Sequence, residues 1–136
     1  MANAFRLKIV TPSGVELDDQ VVHVRCPGAA GDFGILAGHA PMMAALGSGR
    51  LGVDYTDRSE DFAVTGGYLE VHNDFAVVMA ESCMRKKDID LERAKQDLAD
   101  AEKTLLSAAN PAEHEEAKTK LDRARARVNV AQFQRT

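Results

Sequence analysis

The chain has 136 residues, which is enough for one ordinary domain or for a small domain with an appendage. Its composition, 45% hydrophobic and 28% charged, is typical of a globular protein, and a formal net charge of −4 argues against a default role in nucleic-acid binding. The longest apolar runs, residues 40–46 and 75–80, fall far short of the roughly 18 residues that a membrane helix needs, and no signal or transit pattern opens the chain. We therefore expect a cytoplasmic address and no direct insertion into a membrane.

The first 85 residues carry strand patterns separated by turn residues. Phe5, Leu7 and Ile9 alternate with charged neighbours, which is the period-two pattern of a half-buried strand. Similar segments follow every 8 to 12 residues or so, divided by turn sequences such as Asn73-Asp74. About eight to ten such segments, with no alternating helices, predict an all-β sandwich or barrel and exclude a Rossmann-type core.

A glycine-rich loop lies within this β-region at residues 31–41, with the sequence Gly-Asp-Phe-Gly-Ile-Leu-Ala-Gly-His-Ala-Pro. Glycine is used where the backbone needs a positive φ or a close approach, and proline where φ is preset. The spacing predicts a loop that is bent at fixed points around Phe33, Ile35 and Leu36. His39 has two interpretations, either a loop histidine bonded to the backbone or a residue that contacts a partner.

The character of the chain changes near residue 85, where a region rich in Ala, Asp, Glu, Lys and Arg and free of glycine begins. Small and apolar residues spaced alternately by three and four predict a helix of about 18 residues and, after a cap formed by Asn110 and Pro111, a second helix. The predicted contact positions are Leu91, Ala94, Leu98, Ala101, Leu105 and Ala108 on the first helix and Ala117, Leu121, Ala124, Val128 and Ala131 on the second. The short link predicts an antiparallel two-helix hairpin. We expect two domains, a β-sandwich of residues 1–85 and a C-terminal helical hairpin of residues 86–136.

The contact seams of the hairpin are narrow and half alanine, so they bury little apolar surface. Because isolated helices of this length are marginal in water, we expect the hairpin to need a surface to lie on and to be able to move between surfaces. Its charges are sorted, with acids in the first helix and bases in the second. Either the two helices pair through these charges, or the basic second helix docks on an acidic partner when the hairpin opens. Nucleic acid is a poorer partner, since no aromatic residues interleave with the bases.

No residue pattern predicts a catalytic or metal site. The four histidines lack metal-ligand spacing, and no P-loop, nucleophile elbow or Cys-x-x-Cys motif occurs. Cys26 and Cys83 stand far apart in strand contexts, and we expect both to be reduced thiols.

One stretch could hold a nucleotide, the segment Ile-Asp-Leu-Glu-Arg-Ala of residues 89–94 at the start of the first helix. A helix N-terminus offers free N–H groups, Arg93 could bind a phosphate, and Asp90 could accept a hydrogen bond from an adenine amine or orient the arginine. The alternative is that Asp88 or Asp90 caps the helix while Arg93 is exposed or paired.

Four motifs in this order resemble the epsilon subunit of F-type ATP synthases, which is the delta subunit in mitochondria. They are Gly-x-x-Gly-Ile-Leu-x-Gly-His-x-Pro in residues 31–41, Gly-Gly-Tyr-Leu-Glu-Val in residues 66–71, Ala-Glu in residues 80–81 and Ile-Asp-Leu-Glu-Arg-Ala in residues 89–94. The resemblance covers the whole chain. It implies a flattened ten-stranded β-sandwich followed by two antiparallel helices.

The resemblance also implies a non-catalytic rotor subunit, held peripherally at the cytoplasmic face of the bacterial plasma membrane. In the family, the sandwich binds the gamma subunit and sits on the ring of c subunits, and the ring-facing loop positions match Asp32 and His39. The hairpin can extend into the catalytic head, where its basic helix meets the alpha and beta subunits and blocks ATP hydrolysis. The matching bases are Arg123, Arg125 and Arg127.

Some family members bind ATP through a motif whose residues are Asp90, Arg93 and Ala94 here. Strong binders carry an acidic residue six positions before the motif's aspartate, where this chain has Met84. The resemblance therefore implies weak regulatory Mg-ATP binding or none, and no required cofactor. Two rival hypotheses are a free nucleotide-sensing domain and an enzyme with a jelly-roll-like core, for which the sequence offers no ligand set.

Overall fold

The computed structural model describes residues 3–135, so the outermost positions of the two expected domains, residues 1–2 and 136, lie outside it. It contains ten strands followed by a short 3-10 helix, Lys86–Asp88, and two α-helices, α1 (Leu91–Leu106) and α2 (Pro111–Gln132). The strands are β1 (Phe5–Thr11), β2 (Gly14–Val21), β3 (His23–Cys26), β4 (Phe33–Ile35), β5 (Met42–Ala45), β6 (Gly49–Asp54), β7 (Ser59–Thr65), β8 (Tyr68–His72), β9 (Phe75–Met79) and β10 (Ser82–Arg85). The predicted sandwich and hairpin are confirmed.

The strands form two five-stranded sheets that pack face to face. The first sheet has the order β2-β1-β9-β8-β5 and the second the order β10-β7-β6-β3-β4. Neighbouring strands are antiparallel except β1 and β9, which run parallel. Alternating side chains of both sheets meet between them, and the largest fully buried ones include Phe62, Leu7, Ile9, Ile35, Leu51 and Leu69.

Turn chemistry sets the register of the β8–β9 hairpin. Asn73 and Asp74 occupy the left-handed region at φ 50° and 58°, which these two residue types tolerate better than most. The two-residue turn predicted at this position is therefore present, and it pairs His72 with Phe75 at the hairpin end.

Arg85, the last residue of β10, ties the two sheets together. Its guanidinium donates to the Glu60 carboxylate of β7 and, at 2.9 Å, to the backbone oxygen of Glu16 in β2. The Tyr55 hydroxyl donates to the other oxygen of Glu60 at 2.6 Å, and the guanidinium lies over the Phe62 ring. The end of the sandwich is thus fixed immediately before the segment that leads to the helices.

Both helices begin at side-chain caps. The Asp90 carboxylate accepts from the Arg93 N–H at 3.1 Å, and the Asn110 side chain accepts from the Glu113 N–H at 2.9 Å, with Pro111 at the first helical position. The Glu113 carboxylate reaches back to the Ala109 N–H at 2.8 Å. Helix α1 has 16 residues, slightly fewer than the 18 or so that the sequence predicted, because it ends before Ser107.

Helix α2 buries two faces, of which the spacing predicted one. The predicted seam of α2 packs on that of α1. The residues buried there are Ala94 and Ala101 of α1 and Ala117, Leu121, Ala124 and Val128 of α2. The second face, Ala126 and Val130, packs on Ala63 of β7, with half-buried Ile89 beside them. Residues 61–65 of β7 are consequently buried on both sides, which explains why burial does not alternate along this part of the strand. Neither helix of the described range is long and apolar enough to cross a membrane.

Candidate functional site

The glycine-rich loop is held in place by Asp74. Gly38, at φ 80°, donates its N–H to Asp74 Oδ1 at 2.7 Å across 36 residues of sequence. Because this acceptor is charged, the hydrogen bond is of the strong kind. The loop is therefore anchored to the β8–β9 turn at its C-terminal half.

The two predicted partner residues of the loop lie at its surface. Asp32 is exposed and pairs with Arg25 of β3 at 3.2 Å, and His39 Nδ1 lies 2.7 Å from the Ala40 carbonyl oxygen. The first interpretation of His39, a histidine bonded to the loop backbone, thus describes its contact. Leu36 between them is 59% exposed, so the loop presents an apolar tip beside these polar groups.

An apolar patch covers the outer face of the first sheet at the β5 edge. Leu69 and Val71 point into the core, so Tyr68 and its pairing partners Ala45 and Met79 point outward. Met43, two residues before Ala45, shares that face. Met43, Tyr68 and Met79 are 65%, 55% and 40% exposed, and we call these three residues the sheet patch. The sequence reasoning missed it, although Tyr68 and Met79 stand at alternating positions that a solvated face would fill with polar residues.

The candidate nucleotide motif has its polar groups engaged within α1. The Asp90 carboxylate caps the helix, and Arg93 Nε donates to Asp97 one turn later at 3.1 Å. Ala94 is buried against α2. Among the described residues, the alternative of a capping Asp90 and a paired Arg93 is therefore the arrangement present, and the Arg93 side chain is still 74% exposed.

A basic cleft of about 290 Å³ lies between the two helices, next to Asp97, the residue that pairs with Arg93. Its charged lining is Asp97 and Asp100 of α1 with Lys120, Arg123 and Arg127 of α2. Burial lowers the pKa of the Arg127 guanidinium, and the neighbouring charge of Arg123 lowers it further. Within residues 3–135, the buried Nε of Arg123 has no hydrogen-bond partner. The cleft thus contains an unsatisfied N–H donor close to several positive charges, an arrangement that could bind an anion.

The basic residues predicted to meet a partner divide between two environments. Arg123 and Arg127 line the cleft and are half-buried, whereas Arg125 is exposed on the outer side of α2. Within the described part of the chain, no ion pair shorter than 4 Å joins α1 to α2, and the helical ion pairs found lie within one helix. The sorted charges of the two helices therefore face each other without direct pairing.

The thiols and the acidic groups show no arrangement for chemistry. Burial raises the pKa of both Cys26 and Cys83 to about 12, so each thiol is un-ionised at neutral pH. Across the range 3–135, no group of three His, Cys, Asp or Glu side chains is placed to hold a metal ion.

Two family models match consecutive parts of the chain. Residues 4–86 match the model for the ATP synthase Delta/Epsilon chain beta-sandwich domain. Residues 87–132 match the model for the ATP synthase Delta/Epsilon chain long alpha-helix domain.

Curated relatives and solved structures agree with these matches. The ATP synthase epsilon chain of Anaeromyxobacter sp. is 42% identical over 129 residues, which is 94% of this chain and 98% of the relative. That of Nitratidesulfovibrio vulgaris is 37% identical over 130 residues, or 96% and 97% of the two chains. The fold is also found in a chain of the Euglena gracilis mitochondrial ATP synthase OSCP/F1/c-ring structure, with a TM-score of 0.80 at 19% identity over 98% of this chain and 84% of that one. A chain of the Tetrahymena thermophila central stalk/c-ring structure has a TM-score of 0.69 at 14% identity, covering 96% and 98%.

Proposed function

The chain belongs to the delta/epsilon family of ATP synthase subunits, and from this membership we propose that it is a rotor subunit that couples the c-ring to the catalytic head. The family is one of subunits within a larger enzyme, so the chain acts through binding and carries no catalytic residue of its own. Of the solved structures of similar fold, one is an OSCP/F1/c-ring assembly and the other a central stalk/c-ring assembly. We take residues 1–85 as the binding domain, residues 86–136 as the regulatory one, and a peripheral site at the cytoplasmic face of the membrane as their location.

The sheet patch is the single observation that carries this proposal. Three large apolar side chains on one outer face are unusual for a surface in water and are typical of a docking site. We assign the patch to the gamma subunit, because a subunit of the rotor must bind its rotor partner firmly enough to turn with it. The rest of that face is partly polar through Glu70, which resembles the rim of an interface.

The anchored loop supplies the contact with the c-ring. Asp32 and His39 lie on the surface of a loop that Asp74 fixes to a β-turn, and a fixed loop transmits torque better than a mobile one. In this role the Leu36 tip and the two polar groups form one contact surface.

The hairpin supplies the restraint on ATP hydrolysis. In the compact arrangement only Arg125 of the three candidate bases is fully presented, since Arg123 and Arg127 line the inter-helix cleft. Opening the hairpin would bring all three to the surface, where they could bind acidic segments of the alpha and beta subunits. Deleting residues 88–136 should leave the sandwich bound to the rotor and raise the hydrolysis rate of the assembled enzyme. An unchanged rate would refute the restraint and leave the coupling role standing.

Co-purification with the gamma subunit tests the coupling role. We expect wild-type chain to be retained by tagged gamma, and the variant Tyr68→Asp to lose at least about tenfold in affinity, because a charge replaces a central aromatic contact. Val15→Asp is the matched control, since Val15 is 58% exposed on β2 at the opposite edge of the same sheet. Equal binding by wild type and Tyr68→Asp would remove the sheet patch from the interface.

A second candidate function is weak binding of Mg-ATP by the hairpin. Among the described residues Arg123 Nε has no hydrogen-bond partner, and together with the clustered bases of the cleft it favours this function. Arg93 is close to the cleft, since its Nε donates to Asp97 of the cleft lining. With Met84 at the position where strong binders carry an acid, we expect saturation only near millimolar ATP. Titration followed by helical CD or NMR should show a signal that Arg93→Ala reduces and Lys118→Ala, on the exposed surface of α2, leaves unchanged. No saturable signal at millimolar ATP would exclude this function.

A further inference from the structure

The residues after α2 lie on the second sheet and contact it through polar groups. The guanidinium carbon of Arg50 stands 4.0 Å from the centroid of the Phe133 ring, and Lys86 Nζ donates to the Phe133 carbonyl oxygen. The C-terminal segment therefore contacts both β6 and the linker that precedes α1.

Arg135 makes the most extensive of these contacts. Its Nε and Nη2 donate to the two oxygens of Asp61 at 3.2 and 2.9 Å, its Nη1 donates to Asp54 Oδ1 at 3.0 Å, and Nη2 also reaches the Glu60 carbonyl oxygen at 3.3 Å. This bidentate contact with one carboxylate is a geometry that a guanidinium can form and an ammonium group cannot.

The residues of the sheet that receive Arg135 form a preformed binding site. The Asp61 side chain is only 6% exposed, and its Oδ1 also accepts from Arg50 Nη1 at 2.8 Å. A Cβ on Gly52 would stand 2.5 Å from Arg50 Nη1 and 3.2 Å from Arg135 Nη2, so glycine at this strand position leaves the room that the two guanidiniums occupy. When Arg135 leaves, Asp61 keeps Arg50 as its partner, which avoids an unpaired buried charge.

The apolar contact that accompanies these polar ones is small. It consists of Ala63, Ala126 and Val130 with half-buried Ile89. A cluster with two alanines buries little apolar surface, so we expect the polar contacts to contribute to the docking free energy of the hairpin alongside Val130.

We propose that Asp61, Asp54 and Gly52 form a guanidinium-binding site on the sandwich whose ligand is Arg135 of the same chain, and that this contact latches the hairpin in its compact position. The latch sets how often the hairpin opens, and because charged groups form it, salt weakens it. It rests on the proposed function only for its consequence in the assembled enzyme, since every contact in it lies within this chain.

Amide hydrogen exchange on the isolated full-length chain tests the latch. In Arg135→Ala we expect exchange in residues 124–132 to rise about 5- to 30-fold, while strands β8 and β9 keep their wild-type rates. Arg135→Lys keeps the charge without the bidentate geometry, and its exchange rate in residues 124–132 should lie between those of wild type and Arg135→Ala. Lys118→Ala removes one positive charge from the exposed surface of α2 and should match wild type.

Two results would overturn the latch. One is exchange in residues 124–132 of Arg135→Ala that is no faster than in Lys118→Ala. The other is an equal rise in β8 and β9, which would mean that Arg135 holds the sandwich together and not the hairpin. Because this readout needs no other subunit, a failure here is distinguishable from a failure of the rotor proposal, which gamma binding and hydrolysis rates report.

Discussion

Val130 is the largest fully buried side chain of the two helices in the described range, and it packs on Ala63 beneath α2. Replacing it with alanine removes two methyl groups, which costs about 1.6 kcal/mol of transfer free energy at about 0.8 kcal/mol each. The cavity left behind adds to this cost, and the better helix propensity of alanine returns a few tenths of a kcal/mol. We therefore expect Val130→Ala to weaken the docking of the hairpin on the sheet by about 2 kcal/mol.

The composition of the chain allows the hairpin and the sandwich to be followed separately. The chain has two tyrosines and no tryptophan, and both tyrosines, Tyr55 and Tyr68, belong to the sandwich. Tyrosine fluorescence then reports on the sandwich, whereas CD at 222 nm is dominated by the helices. In Val130→Ala the midpoint of the helical transition should fall by at least about 5 °C, while the tyrosine midpoint stays within about 1 °C of wild type.

The control is Leu106→Ala, because Leu106 is 89% exposed at the end of α1 and its truncation should change neither midpoint. If the two probes shifted together in Val130→Ala, the hairpin and sandwich would unfold as one cooperative unit. In that case the view of the hairpin as a separately docked element would be wrong.

Three other outcomes follow from the structure. Asp74→Ala should speed amide exchange in residues 34–40 by about tenfold because Gly38 loses its charged acceptor, whereas Asp74→Asn, which keeps an acceptor and tolerates positive φ, should change it less; exchange in Asp74→Ala that stays at the wild-type rate would contradict the anchoring role. A thiol reagent at pH 8 should modify Cys26 and Cys83 at least about 100-fold more slowly in the native chain than in urea, since burial raises the pKa of both to about 12, and rapid native labelling would contradict this burial. Burial raises the pKa of Glu60, but hydrogen bonds from Tyr55 and Arg85 outweigh it and lower that pKa below the ordinary 4.5. The contribution of Glu60 to the free energy of unfolding is therefore present at neutral pH and is lost as pH falls below about 4.5. In urea unfolding, the free energy of unfolding of Glu60→Gln should fall less steeply with decreasing pH than that of wild type, and parallel pH profiles of the two proteins would count against the network.

Local signals predicted much of the fold. Alternation in Phe5, Leu7 and Ile9 placed β1, and the pair Asn73-Asp74 placed a turn, because each pattern is complete within a few residues. Asn110 with Pro111 likewise marked the start of α2. The second buried face of α2 was missed because Ala126 and Val130 interleave with the seam that packs on α1, and two faces on one helix remove the simple spacing.

Contacts between distant residues could not be predicted from spacing. Arg135 and Asp61 are 74 positions apart, and an arginine near a C-terminus followed by no motif gives no indication of its partner. The sheet patch needed the pairing of Tyr68 with Met79 and Ala45 before its residues could be placed on one face. Asp32, His39 and Arg93 were named from motifs, and their proposed contacts with ring or nucleotide stay predictions.

Arg85 bonds to Glu60 in one sheet and to Glu16 in the other, so the sandwich side of the connection cannot move with the helices. Only residues 86–90 separate this fixed point from α1, and five residues span at most about 17 Å when fully extended. The base of α1 is thus on a short tether, and any excursion of the hairpin is a swing about a pivot at the rim of the sandwich. Lengthening that tether by a few residues would enlarge the reach of the helices without altering either of the surfaces between which they move.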